Sequence, residues 1–220
     1  MTEIYLVRHC ESLGNVLQVY NGTIDLDVSE NGQKQLPFLA KRFNDIHIDA
    51  VYSSPLKRAM KTVGAVADCK NLPVIPCYDL IELDGGSSEG KPFADIFAQN
   101  EGLTDVWNNH PQDFSTPDGE HTVTAYDRIY NAIINIAHEN PDKTVMVGTH
   151  GYVIRCLFAR LLYGSIDRIK DIPWSDNTDV SLLRIDDNDN VEVVFYNDHS
   201  HLPEEFIPEG SRVGGFVKGE

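Results

Sequence analysis

The sequence predicts an α/β fold, a three-layer α/β/α sandwich around a mostly parallel central sheet. Short apolar runs of strand length stand at Ile4-Tyr5-Leu6-Val7, Ala50-Val51-Tyr52 and Thr144-Val145-Met146-Val147. Each is followed by polar residues and then by a stretch of helical periodicity, the order of strand-to-helix units in a sheet covered on both faces. The 220 residues, 41% of them hydrophobic, suffice to bury one substantial core. A single domain over 1–220 is therefore expected, with a lid or insertion over 91–120 and an irregular C-terminal tail over 197–220.

Taken in order, the first strand ends abruptly at Arg8-His9, and Leu13 to Asp27 reads as a loop interrupted by Gly14, Asn15, Asn21, Gly22 and Asp25. Ser29 is a good N-cap for a helix to about Asn44, which Pro37 should kink or shorten. The second strand, Asp49 to Ser53, leads into Ser54-Pro55, a cap with proline at the first helical position, and so places Arg58 in a first helical turn. Pro73 to Glu82 reads as another extended pass, and Gly85 to Gly90 as turns. Lys91 to Gly119 reads as irregular, with Phe93, Phe97, Trp107 and Phe114 forming a small satellite core or an apolar wall. His121 to Glu139 is a helix whose buried face carries Val123, Tyr126, Ile129, Tyr130, Ile133 and Ala137. The strand Thr144 to Gly148 then precedes His150 and a helix from about Tyr152 to Leu162. Val180 to Ile185 and Val191 to Tyr196 form a hairpin.

Composition narrows the function. The formal net charge of −16 sets up a field that repels nucleic acid and anionic membrane, so an anionic ligand has to be captured by a local cluster of cations. There is no uninterrupted apolar run of membrane-spanning length and no charged start leading into an apolar stretch, so a soluble, cytoplasmic protein is expected. Cys10, Cys69, Cys77 and Cys156 have no zinc-like spacing and are expected as free thiols. His199-x-His201 alternates as a metal pair would, but with no third ligand evident it is taken as surface or supporting histidines. A small phosphorylated substrate is the expected partner, and the sequence leaves a homodimer open.

In a largely parallel sheet the carboxyl ends of the strands share one edge, where ligands bind. Arg8-His9, Arg58 and His150 would converge there although far apart in sequence. Two arginines and two histidines meeting in an acidic protein point to an anion, and guanidinium forks match the oxygens of phosphate.

At these positions the chain resembles the histidine phosphatase superfamily, of phosphoglycerate mutase-like fold. The family's opening motif RHG[ET]xxN is similar to Arg8-His9-Cys10-Glu11-Ser12-Leu13-Gly14-Asn15, and its second arginine motif to Ser53-Ser54-Pro55-Leu56-Lys57-Arg58-Ala59. Glu82 to Gly90 looks like a degraded ExxxGxWEG segment, Pro117 to His121 like the pGES segment, Val147 to Gly151 like the second histidine motif, and Asn197 to Leu202 like NDxxHL. Six motifs in family order span nearly the whole chain.

The resemblance implies a phosphoric monoester hydrolase that needs no metal or other cofactor. It makes His9 the nucleophile that becomes phosphohistidine, Arg8, Arg58 and His150 the phosphate clamp, Glu82 the proton donor, and Asn15 and Gly151 further phosphate contacts. Asp84 and Glu89 are rival carboxylates near Glu82.

Cys10 departs from the family glycine. A cysteine nucleophile of the HCx5R type would require arginine at position 16, where Val16 stands, so Cys10 either fills space or is an oxidisable thiol beside arginines. Gly85 and Ser88 replace bulky residues, so the loop carrying Glu82 is expected to be more mobile or differently shaped. Two other readings stay open. One is a mutase, although Glu82 to Gly86 lacks the arginine and histidine of the mutase ERHYG segment. The other is a weakly active phosphate-binding regulatory protein. The leaving group would be read by the Gln18 to Asp25 loop and the Lys91 to His121 segment, where Phe93, Phe97 or Trp107 would form a wall open to varied organic phosphates.

Overall fold

The computed structural model describes residues 1–207. Strands β1 (Thr2–Arg8), β2 (Ala50–Ser53), β3 (Val74–Pro76), β4 (Thr144–Thr149), β5 (Val180–Ile185) and β6 (Val191–Asp198) form one sheet in the order β3-β2-β4-β1-β5-β6. The first four run parallel, and β5 and β6 add an antiparallel edge beside β1.

The two-residue alternation of each strand builds two cores. Ile4 and Leu6 of β1 and Val145 and Val147 of β4 join the cluster that contains Ile129 and Ile133 of α6 (Thr122–Glu139) and Val153 and Leu157 of α7 (Gly151–Tyr163). Val7, Val51 and Met146, on the opposite face, pack with Leu39 of α2 (Glu30–Arg42) and Val63 and Val66 of α3 (Lys57–Lys70). Each of these fully buried aliphatic side chains contributes about 1.5–3 kcal/mol by leaving water. A side chain at Gly148 would put its Cβ 2.7 Å from Val63 Cγ1 and 3.1 Å from Ser53 Oγ, so the glycine lets α3 lie close against β4.

Register aligns the strand ends that matter. Arg8 pairs with Thr149, and Ser53 with Gly148, which brings the carboxyl ends of β1, β2 and β4 to one edge as expected from the parallel order.

Several local expectations change. Leu13–Leu17 is a helix, α1, inside the predicted loop, because Ser12 and Asn15 form a reciprocal cap. The α2 helix runs through Pro37 and ends at Arg42. The α3 helix starts at Lys57, two residues later than Ser54-Pro55 suggests, and its first amide donates to Asp25 Oδ1 at 2.7 Å. The extended pass after Pro73 is only three residues long and gives way to a tight turn at Tyr78–Leu80. The segment read as irregular holds two short helices, α4 (Phe93–Gln99) and α5 (Leu103–Asn109). Val123 is exposed, whereas Ile129 and Ile133 are buried as the period requires. The predicted tail begins with the end of β6, and its residues 208–220 lie outside the described residues. No helix among the described residues is long and apolar enough to cross a membrane.

Candidate active site

His9 follows the last residue of β1 and is almost fully buried, 4% exposed. Its Nδ1 lies 2.7 Å from the Cys10 carbonyl oxygen, which can only accept, so the proton sits on Nδ1 and the lone pair on Nε2. Burial first, and then the charges of Arg58 and Arg8, push its pKa well below the ordinary histidine value. The imidazole is neutral at neutral pH, the form a nucleophile requires.

The backbone around it is clamped by the loop before β5. Asn177 Nδ2 donates to His9 O at 2.9 Å, and the Thr178 amide donates to Arg8 O at 3.2 Å. Thr178 holds φ +65°, a left-handed conformation uncommon for a β-branched residue, which costs about 1–3 kcal/mol wherever it persists. His199 Nδ1 stands 3.3 Å from both Asp176 Oδ2 and Asp179 Oδ1 and ties the same loop to the end of β6. The partners that the His199-x-His201 spacing lacked are thus these two carboxylates, and they raise the His199 pKa. His201 has a different environment, beside Arg42, and burial pushes its pKa down to about 4.

Arg8, Asn15 and Gly151 line a cavity of about 460 Å³ with His9 and Glu82. Arg8 donates through Nη1 to the Ser175 carbonyl, while its buried Nε has no partner. Asn15 Oδ1 accepts from the Ser12 amide and hydroxyl, which leaves the amide NH2 as its free donor. A Cβ at Gly151 would stand 3.2 Å from Arg8 Nε and 3.3 Å from Trp174, so this glycine keeps the guanidinium accessible.

Arg58 and His150 differ from the simple clamp expected of them. Neither lines the cavity. Fully buried, Arg58 donates through Nε to His150 Nδ1, through Nη1 to Asn21 Oδ1 and Ile24 O, and through Nη2 to Asn21 O and Gly22 O. All five N–H groups are engaged, and burial lowers its pKa to about 10. Since Arg58 donates to Nδ1, His150 carries its proton on Nε2, which donates a hydrogen bond to Ser54 Oγ at 2.8 Å. Burial and Arg58 hold His150 neutral, with its ring centroid 5.2 Å from that of His9. The pair supports the nucleophile and the Asn21–Ile24 loop from behind.

The three carboxylates separate by their partners. Glu82 accepts from its neighbour Leu83 and from the Tyr152 and Val153 amides in the first turn of α7, at 3.0, 3.0 and 3.2 Å, and it lines the cavity. Glu89 instead accepts from the amides of Gly22, Thr23, Ile24 and Gly85 and acts as the fastener of two loops. Asp84 closes its own turn through the Gly86 amide. The Glu82 loop is therefore tied down, and the Tyr20 ring fills the space a side chain at position 85 would take. Arg128 pairs through two bonds with Glu120, from the Pro117–His121 motif, and donates to Asp79 O and Ile81 O, which fixes the approach to Glu82.

Cys10 is fully buried, its amide donates to Thr62 Oγ1, and burial pushes the thiol up to about 11. Enclosure and the raised pKa both favour the space-filling reading over that of an oxidisable thiol. Sequence reasoning passed over Glu89 and Arg128 as site supports, Ser54 as the partner of His150, and Tyr152 and Trp174 as cavity walls. Tyr152, two residues after His150 in a first helical turn, could have been found by position. Trp174 could not, because it precedes β5 in an irregular segment.

The model of the histidine phosphatase superfamily (branch 1) matches residues 4–199. Phosphoserine phosphatase 1 of Hydrogenobacter thermophilus is 30% identical over 210 residues, which cover 94% of this chain and 97% of the relative. The metal-independent phosphoserine phosphatase of Arabidopsis thaliana is 33% identical over 168 residues, 75% of this chain and 71% of its own length. The solved structure of Bacillus stearothermophilus YhfR superposes with a TM-score of 0.86 at 27% identity, covering 91% of this chain and 99% of that one. With the family model matched from the first strand to the buried His199, the chain belongs to branch 1 of the histidine phosphatase superfamily.

Proposed function

We propose that this chain is a metal-independent phosphomonoesterase that hydrolyses small phosphorylated metabolites through a phosphohistidine on His9. The observation that carries this reading is the neutral imidazole, fixed by the Cys10 carbonyl with its Nε2 lone pair free, in a cavity that also holds Arg8 and Glu82. Relatives named phosphoserine phosphatases, one of them metal-independent, support hydrolysis as the outcome.

In the first step His9 Nε2 attacks phosphorus, the ester P–O bond breaks, and Glu82 as the carboxylic acid protonates the leaving alkoxide. In the second, the Glu82 carboxylate takes a proton from water, the water oxygen attacks phosphorus, and the P–N bond breaks to release phosphate and neutral His9. Arg8 offers hydrogen bonds to the non-bridging oxygens, and Arg58 adds positive charge from behind the imidazole.

A chelator-treated assay over a panel of phosphomonoesters, quenched during turnover, tests this. The expected result is stoichiometric inorganic phosphate together with an acid-labile, base-stable phosphoenzyme on His9. Transfer of the phosphoryl group between hydroxyls of one substrate, without release, would instead identify a mutase. Glu82→Gln keeps the shape but removes the transferable proton, and is expected to slow alkyl phosphates by about 10²–10³-fold. Turnover of p-nitrophenyl phosphate, whose leaving group needs no proton, should fall far less. Equal losses on both substrates would reject Glu82 as the acid.

A further inference from the structure

One wall of the cavity is aromatic, and it starts beside the phosphate-binding residues, where Gly151 separates Arg8 from Trp174. Trp107 lies nearly parallel to Tyr152, with centroids 5.2 Å apart and planes at 17°, and to Trp174, at 5.8 Å and 29°. Phe93 and Phe97 stack at 6.2 Å and 21°, and Tyr20 stands 5.5 Å from Phe93. All six line the same cavity. The frame behind them is fixed: the Tyr152 hydroxyl donates to Pro111 O at 2.9 Å, and Trp174 lies over the Arg155 guanidinium at 4.5 Å, itself bonded to Ile169 O and Ile172 O. Trp174 nevertheless leaves 46% of its surface in water. A half-exposed tryptophan that continues an aromatic wall inside a phosphate site offers apolar area to a flat partner.

The charges of the cavity are as informative. Among the described residues its only charged lining side chains are Arg8 and Glu82. Both are already assigned to phosphoryl transfer, so a leaving group bearing an ammonium and a carboxylate finds no second ion-pair partner. The net charge of −16 also works against any further carboxylate.

We infer that the site selects phosphomonoesters of uncharged, planar aromatic alcohols, packed against the continuous aromatic wall in which Trp107 joins Trp174 to Phe93 and Phe97, over zwitterionic or carboxylated phosphates. This rests on the phosphatase reading above and names the substrate class of the same site.

The test compares kcat/KM for 1-naphthylmethyl phosphate with that for O-phosphoserine and 3-phosphoglycerate, all alkyl esters, so that leaving-group acidity does not drive the ratio. The naphthylmethyl ester is expected to be preferred at least about tenfold, with the preference carried by KM. Trp174→Leu, at a half-exposed position, and Trp107→Leu should each narrow that ratio at least about threefold. Binding of the non-hydrolysable 1-naphthylmethylphosphonate, read by quenching of tryptophan fluorescence, separates the two readings. Tight phosphonate binding without any turnover would keep the substrate class and defeat hydrolysis. His9-dependent turnover that favours O-phosphoserine, or a ratio untouched by both leucine variants, would overturn the substrate class and leave hydrolysis standing.

Discussion

His9→Ala is expected to lower phosphate release at least about 10⁴-fold, because removing a covalent nucleophile leaves only the binding and electrostatic part of catalysis. The loss should be chemical rather than structural. His9 is buried in its neutral form and spends one hydrogen bond, from Nδ1 to the Cys10 carbonyl, on holding its place. The neighbouring backbone is clamped independently by Asn177 and Thr178. Removal of the neutral ring therefore costs about 1–2 kcal/mol. Thermal unfolding of the variant should shift by only a few degrees, and the acid-labile phosphoenzyme should vanish. A variant that retains turnover within about a hundredfold of wild type, with a phosphorylated residue elsewhere, would reject His9 as the nucleophile.

How far the site was legible depended on the kind of interaction. The apolar runs of β1, β2 and β4 announce themselves because each alternates between two cores, and parallel order then brings Arg8, His9, Ser54 and His150 to one edge without further information. The long helix α6 shows its period for the same reason. Short helices do not: α1 exists because Ser12 and Asn15 cap each other, a contact masked by the glycine and asparagine that break the period. In α4 and α5 the seven-residue helices are too brief for a period to register. The five acceptors around Arg58 were invisible, since four belong to a loop whose carbonyl directions are set only in the fold. Glu82 and Glu89 likewise look alike in sequence, and only their amide partners tell the cavity carboxylate from the fastener.

Arg58→Ala is expected to destabilise the protein by about 3–5 kcal/mol, a large effect for one surface-loop contact and ordinary for a broken buried network. The residue is fully buried, and its removal strands two backbone carbonyls of Asn21 and Gly22, a third at Ile24, the Asn21 side-chain oxygen and His150 Nδ1. Each buried acceptor left unpaired costs about 1–3 kcal/mol, but Asn21 and Gly22 border the open cavity, where water can replace part of what is lost. The Asn21–Ile24 loop is gripped from both sides, its carbonyls by the Arg58 guanidinium and its amides by the Glu89 carboxylate. With one grip gone the other persists, so the loop should loosen rather than unfold the domain. The unfolding midpoint is expected to fall by about 10 °C, and kcat by about 10²–10³-fold as the positive charge behind His9 and the anchor of His150 disappear together. Arg58→Lys keeps the charge but offers a compact ammonium in place of a planar fork, and it cannot reach five acceptors at once. Lysine should therefore recover more of the activity than of the stability. Denaturant unfolding and chelator-treated kinetics on both variants check the two effects separately. An alanine variant within about 1 kcal/mol of wild type would show that the loop does not depend on Arg58, and lysine recovering stability but not rate would show that the fork acts on phosphate directly.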